Sequence, residues 1–300
     1  MLDPACGTGG YLTAALEHLK ASASTVAERE ALQHNVVGWE YKPLPYLLGN
    51  TNLILHDINT PNIQFGDSLA KPLSEYGQKD RVDVILANPP FGGVVSNNNE
   101  NNFPQTYRTK ESADLFLILI IHLLKKARPG VEGGRAAIVL PDGSLTGDGV
   151  KQRIRQKLLE DCNLHTIIRL PNSVFQPYAS VATNLLFFTK GEATKSVWYY
   201  EHKLPESYKA YSKTKPIQLA EFDSLKQWWG GIDRKGRKAN DQAWQVDIKT
   251  IKANGYNLDI KNPHQPEAEK QYSSSELLDM LHQSFAKGDE LLEQLKNELS

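Results

Sequence analysis

The sequence predicts an α/β fold: a mainly parallel sheet with helices on both faces and an antiparallel strand at its edge. Three observations carry this. Short apolar runs alternate with helix-length amphipathic segments to about residue 190. Several of those runs end in a carboxylate or an amide, at the strand ends where ligands collect in open α/β sheets. A glycine-rich turn, Asp3-Pro4-Ala5-Cys6-Gly7-Thr8-Gly9-Gly10, feeds directly into an amphipathic helix and so offers backbone N–H groups at close range.

The elements follow in order. Val36-Val37-Gly38-Trp39-Glu40 is a short strand closed by a carboxylate. Pro43 opens a helix that carries Leu44, Tyr46, Leu47, Leu48 and Leu55 at helical spacing. Asn62-Ile63-Gln64-Phe65 is the next strand, closed by Gly66-Asp67-Ser68. Residues 82–87 form another, which ends in Asn88-Pro89-Pro90-Phe91. A Leu- and Ile-rich helix runs from Ser112 and stops before Pro129-Gly130. Residues 135–140 read as a strand and 150–159 as a helix. Residues 165–170 and 184–189 read as two strands, an antiparallel pair at the sheet edge.

Between these elements, residues 94–103 hold five asparagines and one glutamate, too polar to pack. The loop at 172–179 mixes Phe175 and Tyr178 with turn residues, fit either for a satellite core or for contact with a substrate. Beyond Gly191, Ser196-Val197-Trp198-Tyr199-Tyr200 is a strand, followed by some sixty residues without clean periodicity. Ser273 starts a final helix with an apolar stripe that includes Leu277, Leu278, Leu281 and Phe285. The expected organisation is a catalytic domain over residues 1–190, a mixed extension over 191–270 and a C-terminal helix over 271–300.

The tetrad Asn88-Pro89-Pro90-Phe91 is the most specific feature. By itself an Asn-Pro-Pro is a turn closing a strand. At a sheet edge beside a glycine turn it suits holding an exocyclic amine. The Asn88 side-chain carbonyl and the Pro89 carbonyl accept its hydrogens, the prolines fix φ, and Phe91 supplies a stacking face.

On these two motifs, and on Asn257-Leu258-Asp259-Ile260-Lys261-Asn262-Pro263 near the end, the chain resembles the modification (M) subunits of type I restriction–modification systems. Those subunits are N6-adenine DNA methyltransferases that use S-adenosyl-L-methionine. The resemblance implies a methyltransferase Rossmann-like fold with a C-terminal α-helical extension. It implies that Asp3 and Pro4 meet the cofactor's methionine end with Gly7, Thr8, Gly9 and Gly10. Glu40 would hold the ribose hydroxyls, and Asp67 with Ser68 the cofactor's adenine. Asn88, Pro89, Pro90 and Phe91 would receive an adenine flipped out of DNA. The partners implied are DNA, a specificity (S) subunit, a second M subunit and a restriction (R) subunit, with no membrane.

The resemblance also implies a longer first strand, an upstream Phe-x-Pro segment and a helical domain ahead of Asp3. The expectation is therefore a chain truncated at its N-terminus. A protein glutamine N-methyltransferase, which shares the Asn-Pro-Pro corner, and an inert assembly fragment of the M subunit are the alternatives.

Composition bounds this reading. Forty per cent hydrophobic residues supply a core, and no apolar run is long enough to span a membrane; the longest, residues 115–124, contains His122 and reads as a buried helix. No signal peptide is apparent. Two cysteines without metal-ligand spacing suit a reducing cytoplasm, and no metal site is expected. A net charge of −1 is low for a DNA-handling protein, so most of the grip on DNA falls to another polypeptide. Two basic groups, at residues 151–157 and 233–238, are candidates for phosphate contacts; the alternative for each is a solvated face or loop.

Overall fold

A computed structural model of the chain describes residues 1–95 and 98–264, with positions 278, 281, 282, 284–286, 288 and 296 beyond them. The strands are β1 (Leu2–Asp3), β2 (Val37–Glu40), β3 (Ile63–Phe65), β4 (Val84–Ala87), β5 (Arg135–Pro141), β6 (Cys162–Leu170), β7 (Thr183–Lys190), β8 (Ser196–Glu201) and β9 (Ala243–Asp247). The helices are α1 (Gly10–Lys20), α2 (Val26–Asn35), α3 (Pro43–Leu55), α4 (Ser112–Leu123), α5 (Asp142–Leu145), α6 (Val150–Asp161), α7 (Asp223–Trp228) and α8 (Ile248–Ala253).

One sheet takes the order β3-β2-β1-β4-β5-β7-β6-β8-β9. Strands β1 to β5 are parallel; β7 runs against both β5 and β6, and β9 runs against β8. The sheet is thus mostly parallel with an antiparallel edge strand, and that strand is β9. The antiparallel pair expected at the edge, β6 and β7, lies inside the sheet. The cause is the strand Ser196–Glu201, whose Val197, Tyr199 and Tyr200 are buried and which pairs in parallel with β6. Tyr199 in turn stacks on Trp244 of β9, with ring centroids 5.3 Å apart.

For the same reason Met1–Asn262 is one compact unit, and the boundary expected after residue 190 falls within its continuous sheet. The remaining unit, Pro263–Ser300, begins in a turn at Pro263 and His264 and is helical at its described positions from 278 on, with Leu278, Leu281 and Phe285 exposed. The start expected at Ser273 and the positions Leu277, Leu291, Leu292, Leu295 and Leu299 lie outside the described residues. Among the described residues no helix is long and apolar enough to cross a membrane.

Helix α4 is apolar on every side and is buried on every side except at His122, as such a pattern requires. It ends at Leu123, earlier than the sequence suggests, because Leu124 turns extended and pairs with Val82, while Lys125 donates its N–H to the Val82 carbonyl at 3.0 Å. Against expectation, the described residues 98–103 of this polar stretch do pack. Asn99 is buried, Asn102 donates to the carbonyls of Leu69 and Ala70 at 2.9 Å, and Phe103 enters the main core. Side-chain amides that satisfy buried backbone carbonyls let a polar segment fold where apolar contact would not.

The basic run on α6 is consumed internally. Arg155 is 2% exposed and donates to the carbonyls of Tyr256, Thr146 and Gly147 at 2.7, 2.5 and 2.5 Å. Lys157 pairs with Asp161, Lys151 with Glu111, and Arg153 Nε donates to the Thr106 carbonyl. Arg155 thereby ties α6 to the segment after α8. Truncating it leaves three part-buried carbonyls without that donor, so Arg155→Ala is expected to lower unfolding free energy by roughly 3 kcal/mol in a urea titration. A loss below about 1 kcal/mol would show that those carbonyls reach water.

Candidate active site

The strand order places the ends of β2, β1 and β4 side by side, and a cleft of about 430 Å³ opens there. Its walls include Pro4 and Gly7 after β1, Glu40 at the end of β2, Asp67 and Ser68 after β3, and Asn88 and Pro90 after β4. Volume and lining fall in the range of small-molecule sites.

The glycine turn has a physical requirement for its residues. Gly7 and Gly9 adopt φ of +54° and +80°, and Gly9 caps α1 from the left-handed region. Gly49 of α3 fits against this turn because it lacks a side chain: a Cβ there would lie 3.0 Å from the Gly7 carbonyl oxygen. Glu40 then fixes the turn to the second strand. Its Oε2 accepts the Gly7 N–H at 2.9 Å and its Oε1 the Lys42 N–H at 2.7 Å. A carboxylate held by two amides is rotationally fixed and keeps lone pairs free for further donors.

Asp67 is also held. Its Oδ1 accepts the Leu69 N–H at 2.9 Å and its Oδ2 the Asn99 side-chain amide at 2.7 Å. Ser68 donates its hydroxyl to the Pro4 carbonyl, tying the third strand end to the first.

The Asn88 side chain is exposed and makes no hydrogen bond to any described residue. Pro89 is buried; Pro90 has its carbonyl engaged by the Ser112 hydroxyl at 3.0 Å, and Ser112 N–H donates to Gly93 at 3.0 Å. The first residue of α4 thus clamps the tetrad. Phe91 is half-buried and meets Phe175 edge to face, with centroids 5.4 Å apart. Phe175 sits on a loop anchored by buried Ser173, whose Oγ accepts the Tyr211 N–H at 3.0 Å.

Burial pushes the Asp3 carboxyl up to about 7, with the Glu40 charge adding to the rise and the Ala5 N–H opposing it. Burial pushes the Cys6 thiol up to about 12, with Asp3 and Glu40 contributing, so Cys6 is no thiolate nucleophile at neutral pH. Among the described residues no group of three or more His, Cys, Asp or Glu could hold a metal ion.

The family model for N-6 DNA methylases matches residues 1–272. The chain belongs to the N-6 DNA methylase family. It is 48% identical to the type I restriction enzyme EcoEI methylase subunit of Escherichia coli, over 99% of this chain and 60% of that protein. A solved modification subunit from Vibrio vulnificus YJ016 superposes with a TM-score of 0.81 at 48% identity, over 88% of this chain and 55% of that one. A chain from a structure addressing assembly and conformational transition of the type I R-M system superposes at 0.82, with 34% identity, over 99% of this chain and 61% of that one. This methylase chain therefore spans about 60% of the curated E. coli relative. The methyltransferase Rossmann-like fold follows from these matches and the strand order.

Of the residues anticipated from sequence, Pro4, Gly7, Glu40, Asp67, Ser68, Asn88 and Pro90 meet in this cleft. Asp3, Thr8, Gly9, Gly10, Pro89 and Phe91 do not line it. Asp3 is buried with its Oδ1 on the Ala5 N–H, Thr8 gives its carbonyl to Asn52, and Gly9 caps α1. Trp39, Leu69, Ser112 and Phe116 also form the walls, and Asn99 backs Asp67; none of these roles is evident from motif alone. Only Trp39 and Leu69 carried a signal, as the immediate neighbours of Glu40 and Ser68.

The raised Asp3 carboxyl gives a pH signature. Between about pH 4 and pH 7 the folded methylase retains a proton that its unfolded chain has lost, so stability falls as pH rises through that window. Asp3→Asn keeps the acceptor for Ala5 and removes the charge. It is expected to flatten that slope and to raise stability at pH 8 by up to roughly 4 kcal/mol, read from urea titrations across the pH range. An identical slope in the variant would place the titration elsewhere.

Proposed function

We propose that this chain transfers the methyl group of S-adenosyl-L-methionine to the N6 amine of adenine in DNA, as the modification subunit of a type I restriction–modification complex. One observation carries the reading: an Asn88 amide with no partner among the described residues faces the same cleft as the Glu40–Gly7 corner. The donor set suits the cofactor. Glu40, fixed by two amides, keeps lone pairs for a pair of ribose hydroxyls, and Asp67 keeps capacity for an adenine amine beside Leu69. The buried carboxyl of Asp3 would ionise beside an ammonium group, so Asp3 holds the methionine end from behind the turn.

When bound, S-adenosylmethionine supplies an electrophilic methyl group on a sulfonium. The chain's own residues align the nucleophile. An adenine inside a duplex is out of reach and enters only when flipped. Asn88 Oδ1 and the Pro89 carbonyl accept the two N6 hydrogens, which turns the nitrogen lone pair out of the ring plane and towards the methyl group. Phe91 stacks on the base, and Phe175, edge-on to Phe91, walls the same slot. Ser112 positions the tetrad through the Pro90 carbonyl.

The partners follow from what the chain lacks. With a net charge of −1 and the α6 cations spent internally, DNA is gripped and read by a specificity subunit, alongside a second modification subunit and a restriction subunit. The exposed Leu278, Leu281 and Phe285 share one helical stripe, suited to packing on the specificity subunit. The place of action is the cytoplasm. The protein-glutamine alternative is disfavoured by the family match over residues 1–272.

The test is transfer of labelled methyl to adenine-containing DNA in the presence of a specificity subunit. Asn88→Ala is expected to lower the rate about 100-fold or more while cofactor affinity by calorimetry stays within about twofold. Phe175→Ala is expected to cost about 1–3 kcal/mol, expressed mainly in the KM for DNA. Unchanged turnover in Asn88→Ala would refute the role given to it. Label in release-factor protein and none in DNA would favour the protein methyltransferase, and an absence of cofactor heat in the unaltered chain would favour the inert fragment.

A further inference from the structure

At the opposite end of the strands from Asn88 lies a second cavity of about 310 Å³. It is bounded by the starts of β6 and β8 and by the loop that follows α7, the second basic group of the sequence. Lys195, Arg234 and Arg237 converge on it with His165, and the half-buried Trp198 provides an aromatic wall. Nothing in the proposed methyl transfer uses these groups.

Four features distinguish this cavity from an ordinary charged surface. Arg237 is immobilised: its Nε donates to the Trp229 carbonyl at 2.9 Å, its Nη1 to Thr166 Oγ1 at 2.7 Å, and its guanidinium lies over both Trp228 and Trp229. Its remaining nitrogen, Nη2, is buried and has no partner among the described residues. Second, His165 is the unpaired residue of a bulge in the β6–β7 ladder, and its Nδ1 lies 2.8 Å from Thr166 Oγ1. Third, Arg234 sits at φ +54°, a left-handed conformation that glycine adopts freely and arginine does not. Gly230, Gly231 and Gly236 take up the other left-handed positions of the same loop. The strained backbone presents the Arg234 side chain on the cavity wall.

Fourth, the charge is unbalanced towards the positive. The two carboxylates on the cavity are Glu192 and Asp233, and Asp233 is already drawn to Lys235 at 3.3 Å. Burial, with Arg234 and Arg237 adding, holds His165 down at about 3, and burial with Arg234 holds Arg237 at about 10. Three cations, Lys195, Arg234 and Arg237, thus face two carboxylates here, one of them shared with Lys235.

We propose that this cavity is a phosphate-binding site, taking the phosphate of a nucleotide or of a nucleic-acid strand on Arg234 and Lys195, with Trp198 beside the attached base. Guanidinium and ammonium groups beside an indole are the combination that holds phosphate and base together. The site is separate from the methyl-transfer cleft and does not rest on the reaction proposed for it.

The test uses the 300-residue chain, tryptophan emission as the readout, and three probes at low salt: inorganic phosphate, adenosine monophosphate and a short single-stranded oligonucleotide. Saturable quenching is expected, weakened about tenfold or more in the double variant Arg234→Gly, Lys195→Ala. The Arg234→Gly change relieves the left-handed backbone, so thermal unfolding of that variant is expected at or above the parent temperature. If the oligonucleotide binds more tightly than the mononucleotide, and its salt slope flattens by about 0.7 per removed cation, the source is a strand. Equal binding of the mononucleotide and the oligonucleotide makes it a free nucleotide. No quenching by any probe, or equal affinity in the double variant, overturns the proposal.

Discussion

The architecture depends on a single insertion: a two-residue strand wedged between two others. Leu2, fully enclosed, pairs with Val37 on one side and Ile85 on the other, and Asp3 pairs with Gly38. That insertion sets the end of β1 between the ends of β2 and β4. The glycine turn, the Glu40 carboxylate and the Asn88 amide become neighbours although they are separated by up to eighty residues of chain. Parallel pairing makes the strands in this half end at the same rim, so the ends of β2, β3 and β4 bring Glu40, Asp67 and Asn88 to one cleft. The side-chain contacts then lock what the backbone has gathered: Glu40 on Gly7, Ser68 on Pro4, and Ser112 on Pro90.

A second consequence concerns where polarity is used. Amides and cations that look like surface decoration in the sequence are structural in the fold. Asn99 and Asn102 fasten the loop after the tetrad onto Asp67, Leu69 and Ala70. Arg155 satisfies carbonyls in the interior. The Asn99 bond holds the Asp67 carboxylate of the cleft in one arrangement before any ligand arrives. Preorganisation of this kind suits a reaction that needs alignment more than acid–base chemistry.

The sequence was most legible where an apolar strand ends in a distinctive group. Glu40, Asp67 and Asn88 each follow such a run, and the structure puts all three on one cleft. It was least legible where stability comes from polar bonding. Helix α2 buries none of its residues and was not anticipated; its signal was the capping box, in which Thr25 and Glu28 satisfy each other's backbone N–H groups. The polar loop at 94–103 was misjudged because amide-to-carbonyl bonding leaves no periodic trace. The position of β6 and β7 inside the sheet depends on two later strands, and β9 was too short and mixed to stand out. Phe175 was visible only as an aromatic in a loop, since its meeting with Phe91 is made by tertiary contact.

The central claim is that the amide after β4 and the glycine corner after β1 jointly frame the reacting atoms. Its most direct test is a crystal structure of the chain with the demethylated cofactor product, S-adenosylhomocysteine. The account predicts ribose hydroxyls on the Glu40 carboxylate and a sulfur atom directed towards the Asn88 side chain across the shared cleft. A ligand seated elsewhere, or one whose sulfur points away from Asn88, would contradict it.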